Sequence, residues 1–482
     1  MDLTPTSWPQ PQAARQIFCN RTLSMRGVRA IGYDMDYTLI HYRTEVWERH
    51  VYDFAKRRLQ SLGWPVADLH FVGDLMVRGL ILDTQLGNIL KVNSFGYVKQ
   101  ARHGTHPIDH DEQKQLYSQT LVSLSERRWV FLNTLFSLSE ACLYAQLVDL
   151  VDAKKLPGVL GYEDLYRRVR DLIDEAHVEG QLKHEIMSEP ERFVALDEDG
   201  PQTLWDQRAA GKKLLLITNS DWLFTRRMMA YVFDRFLPRG HTWRELFHFV
   251  MVAARKPDFF TRKAAVFEVM EDDGLLRPTQ GTLSEGKVFW GGDASLVEET
   301  LQLGGDQILY IGDHIWGDLN VSKTLMRWRT CLILRELEAD LGALDSFSEV
   351  QRELDALMTK KERLEHQISH LRLALARLQS RLGPTLGLPE PVIHDAIART
   401  RGAIVALDDR IRPLVDQATG LSNRWWGPIM RAGNDRSHLA RQIERHADIY
   451  TSRVSNFLVA TPYAYLRSMR APLPHDPAVA AS

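Results

Sequence analysis

The most informative residues for chemistry are two aspartates two positions apart, Asp34 and Asp36, in the run DMDYT at residues 34–38. A phosphate monoester repels nucleophiles, so its hydrolysis needs an aimed nucleophile, a cation and a proton donor for the leaving oxygen. Asp34 is the predicted nucleophile, which would form an aspartyl-phosphate, and Asp36 the predicted general acid and base. Acidic pairs at strand ends are also common turn or cap residues, so this pair alone is weak support.

A second acidic pair, Asp313 and Asp318, lies in the run GDHIWGD at residues 312–318. Carboxylates suit a hard cation that prefers oxygen ligands. The predicted Mg²⁺ ligands are Asp34, Asp36 and Asp313, with Asp318 in support. Taken alone, the second pair fits a helix N-cap followed by an exposed acid equally well.

Two further clusters offer groups that bind phosphate. Thr218, Asn219 and Ser220 precede a predicted helix, where hydroxyls and free backbone N–H groups hold anions. Lys256 follows an apolar run and can neutralise Asp34 and the phosphate together. Taken alone, the first cluster fits a helix cap equally well, and the lysine fits an ordinary solvated side chain. The prediction therefore depends on the order of all four clusters along the chain.

Each of the four clusters ends a β-rich apolar run, as strands of a parallel sheet end at one edge. The runs cover residues 28–33, 213–217, 247–253 and 307–312. Because ligands of doubly wound sheets bind outside the carboxyl ends of the strands, we expect the clusters to converge. The predicted fold class is α/β, with a Rossmann-like core and a parallel sheet.

Roughly 170 residues separate the first and second runs, far more than a βα crossover needs. We therefore expect an inserted mixed α/β cap, with a hairpin at residues 80–92 that turns at Gly87-Asn88, and mostly helices from about 111 to 180. The predicted domains are a catalytic core at 1–40 and 211–345, the cap at 41–210, a helical hairpin at 346–420 and a C-terminal helical segment at 421–482 that packs on the core.

The hairpin prediction depends on two heptad patterns, at residues 350–382 and 393–414, joined by a link that contains Gly383-Pro384. Lys361 is the polar break in the first pattern. A short link favours an antiparallel pair of helices over one long rod.

The formal net charge of −2 gives no global field that would gather the chain onto nucleic acid or an anionic membrane. Cys19, Cys142 and Cys331 lie far apart and fit a reducing compartment. No signal peptide and no membrane-spanning run is apparent in the sequence, so we expect a cytoplasmic protein.

In these motifs and their order the chain resembles the haloacid dehalogenase superfamily of phosphohydrolases. It also resembles, over nearly its whole length, the cytosolic purine 5′-nucleotidases specific for IMP and GMP. The matching stretches are DMDYTL at 34–39, RGL at 78–80, GNILKV at 87–92, LNTLF at 132–136, ARKP at 254–257, ILYIGDHI at 308–315 and ADIY at 447–450. The resemblance implies a cap in the first insertion position, Mg²⁺ as cofactor and a homo-oligomer, either a dimer or a tetramer.

The resemblance also implies that cap residues hold the purine. The matching positions are Phe136, Arg170, Asp174, His177 and Lys183. An aromatic ring can stack on the base, Arg170 can donate to a 6-oxo group, and Asp174 can accept from a ring N–H. This set favours 6-oxo purines over adenine. Without the resemblance, the ring fits the core and the Arg170–Asp174 pair fits a surface helix.

The family also has an effector site beside the fourth cluster, where an aromatic residue stacks on a regulatory nucleotide. Trp316 keeps an aromatic residue there, and Asn133 is retained. Ser123 and Thr324, however, stand where the family pattern has basic residues for the effector phosphates.

The predicted function is Mg²⁺-dependent hydrolysis of a purine nucleoside 5′-monophosphate, IMP or GMP first, to nucleoside and phosphate. Phosphotransfer to a second nucleoside stays open as an additional activity. The alternatives are a phosphatase of the same superfamily for another small monoester, and a non-catalytic oligomeric scaffold built on the hairpin.

Overall fold

The computed structural model describes residues 12–156, 158–178, 181–270, 274–279 and 283–470, without the side chains of 176–178 and 181. The chain divides into two compact units, Met1–Glu338 with Ile429–Ser482, and Ala339–Pro428. They are described in turn.

A ten-stranded sheet forms the centre of the larger unit. Across the sheet the strands are Phe18–Cys19, Ile449–Thr451, Arg329–Ile333, Ile308–Gly312, Ala30–Tyr33, Lys213–Ile217, Phe249–Val252, Val288–Gly291, Val266–Val269 and Leu276–Pro278. The pairs from the second strand to the eighth are parallel, and the outer three pairs are antiparallel. The four strands predicted from the sequence are neighbours in the middle of this sheet. The predicted α/β class with a parallel core is therefore confirmed.

The central strands are apolar along their whole length because both of their faces are covered. Every residue of Ala30–Tyr33, Phe249–Val252 and Ile308–Gly312 is buried. A strand buried on both faces shows a continuous apolar run rather than alternation. Such strands give the polar residues at their carboxyl ends a rigid support.

The inserted segment leaves and re-enters the core through a short antiparallel ribbon, His41–Tyr42 paired with Val194–Ala195. Between them lies a five-stranded antiparallel sheet. Across that sheet the strands are His106–Pro107, Val98–His103, Asn88–Val92, Ile81–Asp83 and Trp129–Phe131. The helices of the segment are Thr44–Ser61, His110–Tyr117, Leu138–Asp152, Tyr162–Val178, Gln181–Ser188 and Pro190–Phe193.

The hairpin predicted in the inserted segment is present. Ile81–Asp83 pairs with Asn88–Val92, and Gly87 takes a φ of 70° at the turn, which suits glycine. The stretch from 111 to 180, predicted as mostly helical, also contains the strand Trp129–Phe131, which pairs with Ile81–Asp83. Two large aromatic residues and a valine favour a strand there.

The sequence predicted a helical segment from residue 421 onward. The described part of this segment also contains strands. The helix His438–His446 is followed by the strand Ile449–Thr451, which joins the main sheet between Arg329–Ile333 and Phe18–Cys19. The helical prediction is therefore wrong for these residues. A strand of three residues is too short to leave a periodic pattern.

The larger unit contains further helices of eight residues or more, which are Asp199–Ala209, Trp222–Phe233 and Ala294–Leu301. The helix Leu337–Ser346 begins at its boundary with the smaller unit. No helix in the described part of the chain combines the length and the hydropathy that crossing a bilayer requires.

The smaller unit contains two long helices, Ser348–Ser380 and Glu390–Thr419, packed antiparallel. Their shared buried core is formed by Leu354, Leu357, Leu407 and Ile411. The polar break at Lys361 is matched across the pair, because its Nζ lies 2.6 Å from Asp408 Oδ1. A polar pair within an apolar seam favours one register of the two helices.

Candidate active site

Asp34 follows the buried strand Ala30–Tyr33 and is fixed by its own backbone. Its N–H donates to the Ile311 carbonyl at 2.9 Å, and the Met35 N–H donates to Asp34 Oδ1 at 2.7 Å. Oδ1 also lies 2.7 Å from Lys256 Nζ. Among the described residues, no hydrogen bond involves Oδ2, and the side chain is 13% exposed. One carboxylate oxygen is thus held and the other is free to attack.

Lys256 binds three groups at once. Its Nζ lies 2.7 Å from Asp34 Oδ1, 2.8 Å from Asp318 Oδ1 and 3.0 Å from Tyr310 Oη. Burial disfavours the ammonium, but the two carboxylates outweigh it and raise the pKa of Lys256 well above its ordinary value. Lys256 therefore carries a fixed positive charge beside Asp34, the predicted nucleophile.

Tyr310 is a site residue that the sequence analysis missed. Its hydroxyl accepts from Lys256 and donates to the Ile217 carbonyl at 3.2 Å, which links the strands Ile308–Gly312 and Lys213–Ile217 past the strand that lies between them. Gly32 makes room for the ring, since a Cβ there would lie 2.8 Å from Tyr310 Cδ2. The residue sits inside an apolar run, so the sequence offers no signal for this role.

The predicted phosphate-binding loop is bonded to the loop that carries Lys256. The Asn219 side chain accepts from the Lys256 N–H at 2.6 Å and donates to the Lys256 carbonyl at 3.1 Å. Thr218 Oγ1 accepts from the Ser220 N–H at 3.0 Å, and the Thr218 carbonyl accepts from the Ala254 N–H at 3.0 Å. The two loops therefore form one rigid rim.

Three carboxylates gather at this rim. Ligand oxygens of Asp34, Asp313 and Asp318 all lie within 4.8 Å of one another. Gly312 permits the approach, because a Cβ there would lie 2.5 Å from Asp318 Oδ2. The group contains three of the four ligands predicted from the sequence, and Asp36 is not among its members.

Asp36 is held apart from that group by two hydroxyls. Tyr42 Oη donates to Asp36 Oδ1 at 2.5 Å, and Ser220 Oγ donates to Oδ2 at 2.8 Å. With both oxygens engaged, the carboxyl group has a fixed orientation next to Asp34. Tyr42 was missed in the sequence because it lies beyond the DMDYT run.

The acidic group fits a hard divalent cation. Burial raises the pKa of Asp34 well above its ordinary value; Lys256 opposes this shift, and Asp318 and Asp313 add to it. Burial likewise raises the pKa of Asp313 to about 7. Three carboxylates face one ammonium, and a cation with oxygen ligands would offset the remaining repulsion. Asp34, Asp313 and Asp318 are thus suitable ligands for Mg²⁺.

The inserted segment supports Asp313 from outside the core. Thr134 Oγ1 donates to Asp313 Oδ2 at 3.2 Å, and Arg78 Nη1 donates to the Asp313 carbonyl at 3.1 Å. Arg78 is 2% exposed, and its Nε lies 2.7 Å from Glu336 Oε1. Thr134 and Arg78 lie in stretches that match the family outside the catalytic motifs. That match was the sequence signal that could have pointed to them.

Phe136 lies beside the nucleophile's loop. Its ring meets that of Tyr37 edge to face, with 4.6 Å between centroids, and lies 5.4 Å from the ring of Trp47. Tyr37 directly follows Asp36 in the sequence. The aromatic cluster therefore borders the catalytic loop.

Arg170 is held by two carboxylates. Its Nη1 lies 2.9 Å from Glu140 Oε2, and its Nε lies 3.2 Å from Asp174 Oδ2. Glu140 is 1% exposed and was missed, because one acid in an apolar helix reads as a surface residue. Burial lowers the pKa of His314 to about 4, and the charge of Arg170 contributes. The guanidinium of Arg170 is therefore held by two carboxylates of the inserted segment itself.

Fewer contacts are described for Lys183 and His177, the other two predicted base-binding residues. Lys183 Nζ lies 3.2 Å from Oδ2 of Asp221, the residue that follows Ser220 in the sequence. Lys183 therefore reaches the end of the phosphate-binding loop. The side chain of His177 lies outside the described residues.

Three of the four positions expected to form an effector site contact other side chains or the backbone. The Trp316 ring lies 5.3 Å from the ring of His446. The Thr324 hydroxyl donates to the Asn320 carbonyl at 2.7 Å, and the Ser123 hydroxyl lies 2.8 Å from that of Ser125. Asn133 Oδ1 is a buried acceptor without a hydrogen-bond partner in the described part of the chain. Neither hydroxyl supplies a cation for an effector phosphate.

Known proteins are similar to this chain over most of its length. The chain is 26% identical over 475 residues to 5′-nucleotidase domain-containing protein 2 of Homo sapiens, covering 95% of this chain and 85% of that protein. The Rattus norvegicus protein of the same name is also 26% identical over 475 residues, with 95% and 80% covered. Among solved structures, a beta-phosphoglucomutase from Pyrococcus sp. strain ST 04 has 9% identity, with 64% of this chain and 86% of that chain covered and a TM-score of 0.29.

A family model gives the assignment. The model of the 5′ nucleotidase family matches residues 17–478. That range includes all of the acidic residues, the lysine and the loop described above. The chain therefore belongs to the 5′ nucleotidase family.

Proposed function

We propose that this chain hydrolyses nucleoside 5′-monophosphates to nucleoside and phosphate, with the purine nucleotides IMP and GMP preferred. The observation that carries the proposal is the geometry at Asp34. One of its oxygens is free, and the other is held beside Lys256 in a group with Asp313 and Asp318. Membership of the 5′ nucleotidase family supports a nucleotide as the monoester.

In the proposed first step, Asp34 Oδ2 attacks phosphorus and the bond from phosphorus to the 5′ oxygen breaks. Asp36 gives its proton to that oxygen, so the nucleoside leaves neutral. In the second step, Asp36 takes a proton from water, whose oxygen attacks the aspartyl-phosphate. The bond from phosphorus to Asp34 then breaks, and inorganic phosphate leaves.

Other residues of the chain hold the phosphate during both steps. Lys256 places its charge next to the oxygen that Asp34 does not use for attack. Thr218, Asn219 and Ser220 offer backbone N–H groups and hydroxyls at the same rim. Mg²⁺, held by Asp34, Asp313 and Asp318, would supply positive charge that offsets the charge of the phosphate oxygens.

Recognition of the purine is assigned to the inserted segment. Phe136 would stack on the base, Arg170 would donate to a 6-oxo group, and Asp174 would accept from a ring N–H. His177 and Lys183 complete the proposed set. In support, two carboxylates hold Arg170, and Phe136 borders the catalytic loop.

The test is phosphate release by the purified protein with Mg²⁺, using IMP, GMP, AMP and a small aryl phosphate. We expect IMP and GMP to be hydrolysed fastest, and Asp34→Asn to abolish release. Asp409→Asn, an exposed aspartate on the hairpin, is the matched control and should behave as the wild type.

Each other outcome has a defined meaning. Wild-type turnover in Asp34→Asn would refute the mechanism. Turnover of the aryl phosphate alone would favour a phosphatase for another small monoester. No turnover of any compound would favour a scaffold.

Three finer features belong to the same proposal. Phosphotransfer is tested by adding inosine as an acceptor during GMP hydrolysis and measuring the IMP formed. A homo-oligomer, dimer or tetramer, is tested by light scattering of the full chain. A cytoplasmic location is tested by cell fractionation.

A further inference from the structure

We propose that His366 and His370 form a two-nitrogen site for a divalent transition-metal cation of the Cu²⁺ or Ni²⁺ class. The pair lies on the long helix Ser348–Ser380, in the smaller unit of the chain. It is a site distinct from the acidic group at Asp34, and it does not depend on the proposed function.

The two imidazoles converge because of helix geometry. Residues four apart lie one above the other on the same face of a helix. The Nε2 atoms of His366 and His370 are 2.9 Å apart, and the ring centroids are 4.3 Å apart with 71° between the planes. Both Nε2 atoms therefore lie at the same place on the helix surface, and loss of the proton they share would free two nitrogens for one ion.

The spacing between the two nitrogens matches one class of metal geometry. Imidazole nitrogens bind such cations at about 2.0–2.1 Å. Two nitrogens at that distance and at a right angle to each other are about 2.9 Å apart, whereas a tetrahedral angle needs about 3.3–3.4 Å. Right-angle geometry with nitrogen ligands is typical of Cu²⁺ and Ni²⁺. The observed distance of 2.9 Å therefore favours those ions over tetrahedral Zn²⁺.

The surroundings leave the pair available. Both histidines are exposed, and in the described part of the chain each Nε2 bonds only to the other. Glu362 lies one turn before His366, is exposed, and has no ion-pair partner among the described residues. Its carboxylate can turn toward the same face as a third ligand, and water can complete the shell.

The same spacing occurs in helical metal sites, where two histidines at positions i and i+4 bind one ion. A helix of 33 residues packed against a second helix presents these ligands with little freedom of the backbone. A rigid pair loses less entropy on binding than two independent histidines would.

The experiment is calorimetric titration of the full chain with Ni²⁺, with excess Mg²⁺ present so that the acidic group is occupied. We expect binding of one Ni²⁺ ion to the wild type. His366→Ala and His370→Ala should each weaken it by on the order of tenfold or more, since loss of an outer ligand partner alone costs 10- to 100-fold. Glu362→Gln should weaken it less.

His394→Ala is the matched control. His394 is an exposed histidine on the second helix of the hairpin, 3.6 Å from Glu390, and its loss should leave Ni²⁺ affinity unchanged. The replaced histidines are exposed and alanine favours helix, so we expect the variants to fold. Helix content by circular dichroism and an unchanged midpoint of thermal unfolding check this.

Cu²⁺ provides a second readout. It should bind more tightly than Ni²⁺, and its paramagnetic resonance spectrum should show coupling to nitrogen in the wild type and weaker coupling in His366→Ala. No Ni²⁺ binding by the wild type would overturn the proposal and leave only a hydrogen bond between the two rings. Equal affinity in the wild type and both alanine variants would overturn it as well.

Discussion

Two lysines of the candidate active site show how differently its two ends are built. Lys256, at the phosphate end, is 3% exposed and contacts two carboxylates and a phenol. Lys183, at the base end, is 30% exposed and has one ion pair, with Asp221. The charge proposed to act in chemistry is held by residues of neighbouring strands and the segments that follow them, whereas the charge proposed to act in base recognition lies on a surface helix.

The difference has an energetic consequence. An exposed ion pair contributes about 0–1 kcal/mol, because water already solvates both charges. Removing one member of a buried pair costs roughly 3–5 kcal/mol, because the other charge is left unpaired. Substitutions at the phosphate end should therefore reduce activity and stability together. Substitutions at the base end should mainly reduce substrate affinity.

The largest effect is expected for Lys256→Met. The variant keeps the volume but leaves Asp34 and Asp318 without their shared cation, so kcat for IMP should fall by about 10²–10³-fold. Lys263→Met, an exposed lysine in a nearby loop, is the control and should keep wild-type kcat. A kcat within twofold of the wild type for Lys256→Met would remove the contrast between the two lysines.

A smaller effect is expected for Arg170→Ala. Loss of a charged hydrogen bond of roughly 1.5–3 kcal/mol should raise KM for IMP by about 10–150-fold and leave KM for an aryl phosphate unchanged. Arg168→Ala, which removes a surface pair with Asp164 on the same helix, is the matched control. Equal changes for both substrates would assign Arg170 to the fold rather than to the base.

Lys183→Ala should have a modest effect. Its single exposed pair with Asp221 predicts a rise in KM for IMP of at most about fivefold, with kcat unchanged. Steady-state kinetics at two salt concentrations checks this, since salt should reduce the difference. A fall in kcat as large as that of Lys256→Met would show that exposure does not separate the two ends.

Glu48 differs from the exposed charges of the inserted segment because it is fully buried. It accepts a hydrogen bond from the Ser139 N–H at 2.7 Å. Burial raises its pKa from 4.5 to about 8. Between those values the folded chain keeps a proton that the unfolded chain has lost, so the free energy of unfolding falls as pH rises. Glu48→Gln should reduce that fall, as measured by urea unfolding at pH values across this window, and leave kcat unchanged. An identical pH profile in both proteins would contradict the shift.

The sequence predicted the phosphate end well because local rules determine it. A continuous apolar run ends in a polar cluster, and parallel strands bring such ends to one edge. The strands Ala30–Tyr33, Lys213–Ile217 and Ile308–Gly312 follow that rule. Gly312 and the spacing to Asp318 were visible as well, although the separation of Asp36 from the group of three carboxylates was not.

What the sequence could not predict depends on contacts between distant segments. Tyr310 acts through a hydroxyl that reaches past the adjacent strand to the Ile217 carbonyl, and Glu140 acts through an ion pair with Arg170, 30 residues away on another helix. The strand Ile449–Thr451 enters the sheet from the end of the chain and is too short for periodicity to reveal. Such features follow from tertiary packing, which propensity and spacing do not encode.

The ribbon of His41–Tyr42 and Val194–Ala195 joins the inserted segment to the core. The first strand of that ribbon ends in Tyr42, whose hydroxyl orients Asp36. A displacement of the inserted segment at this point would be transmitted to the proton donor through one bond of 2.5 Å. Capture of a nucleotide by the insertion and alignment of the proton donor would then be a single event, which ties substrate recognition to the timing of catalysis.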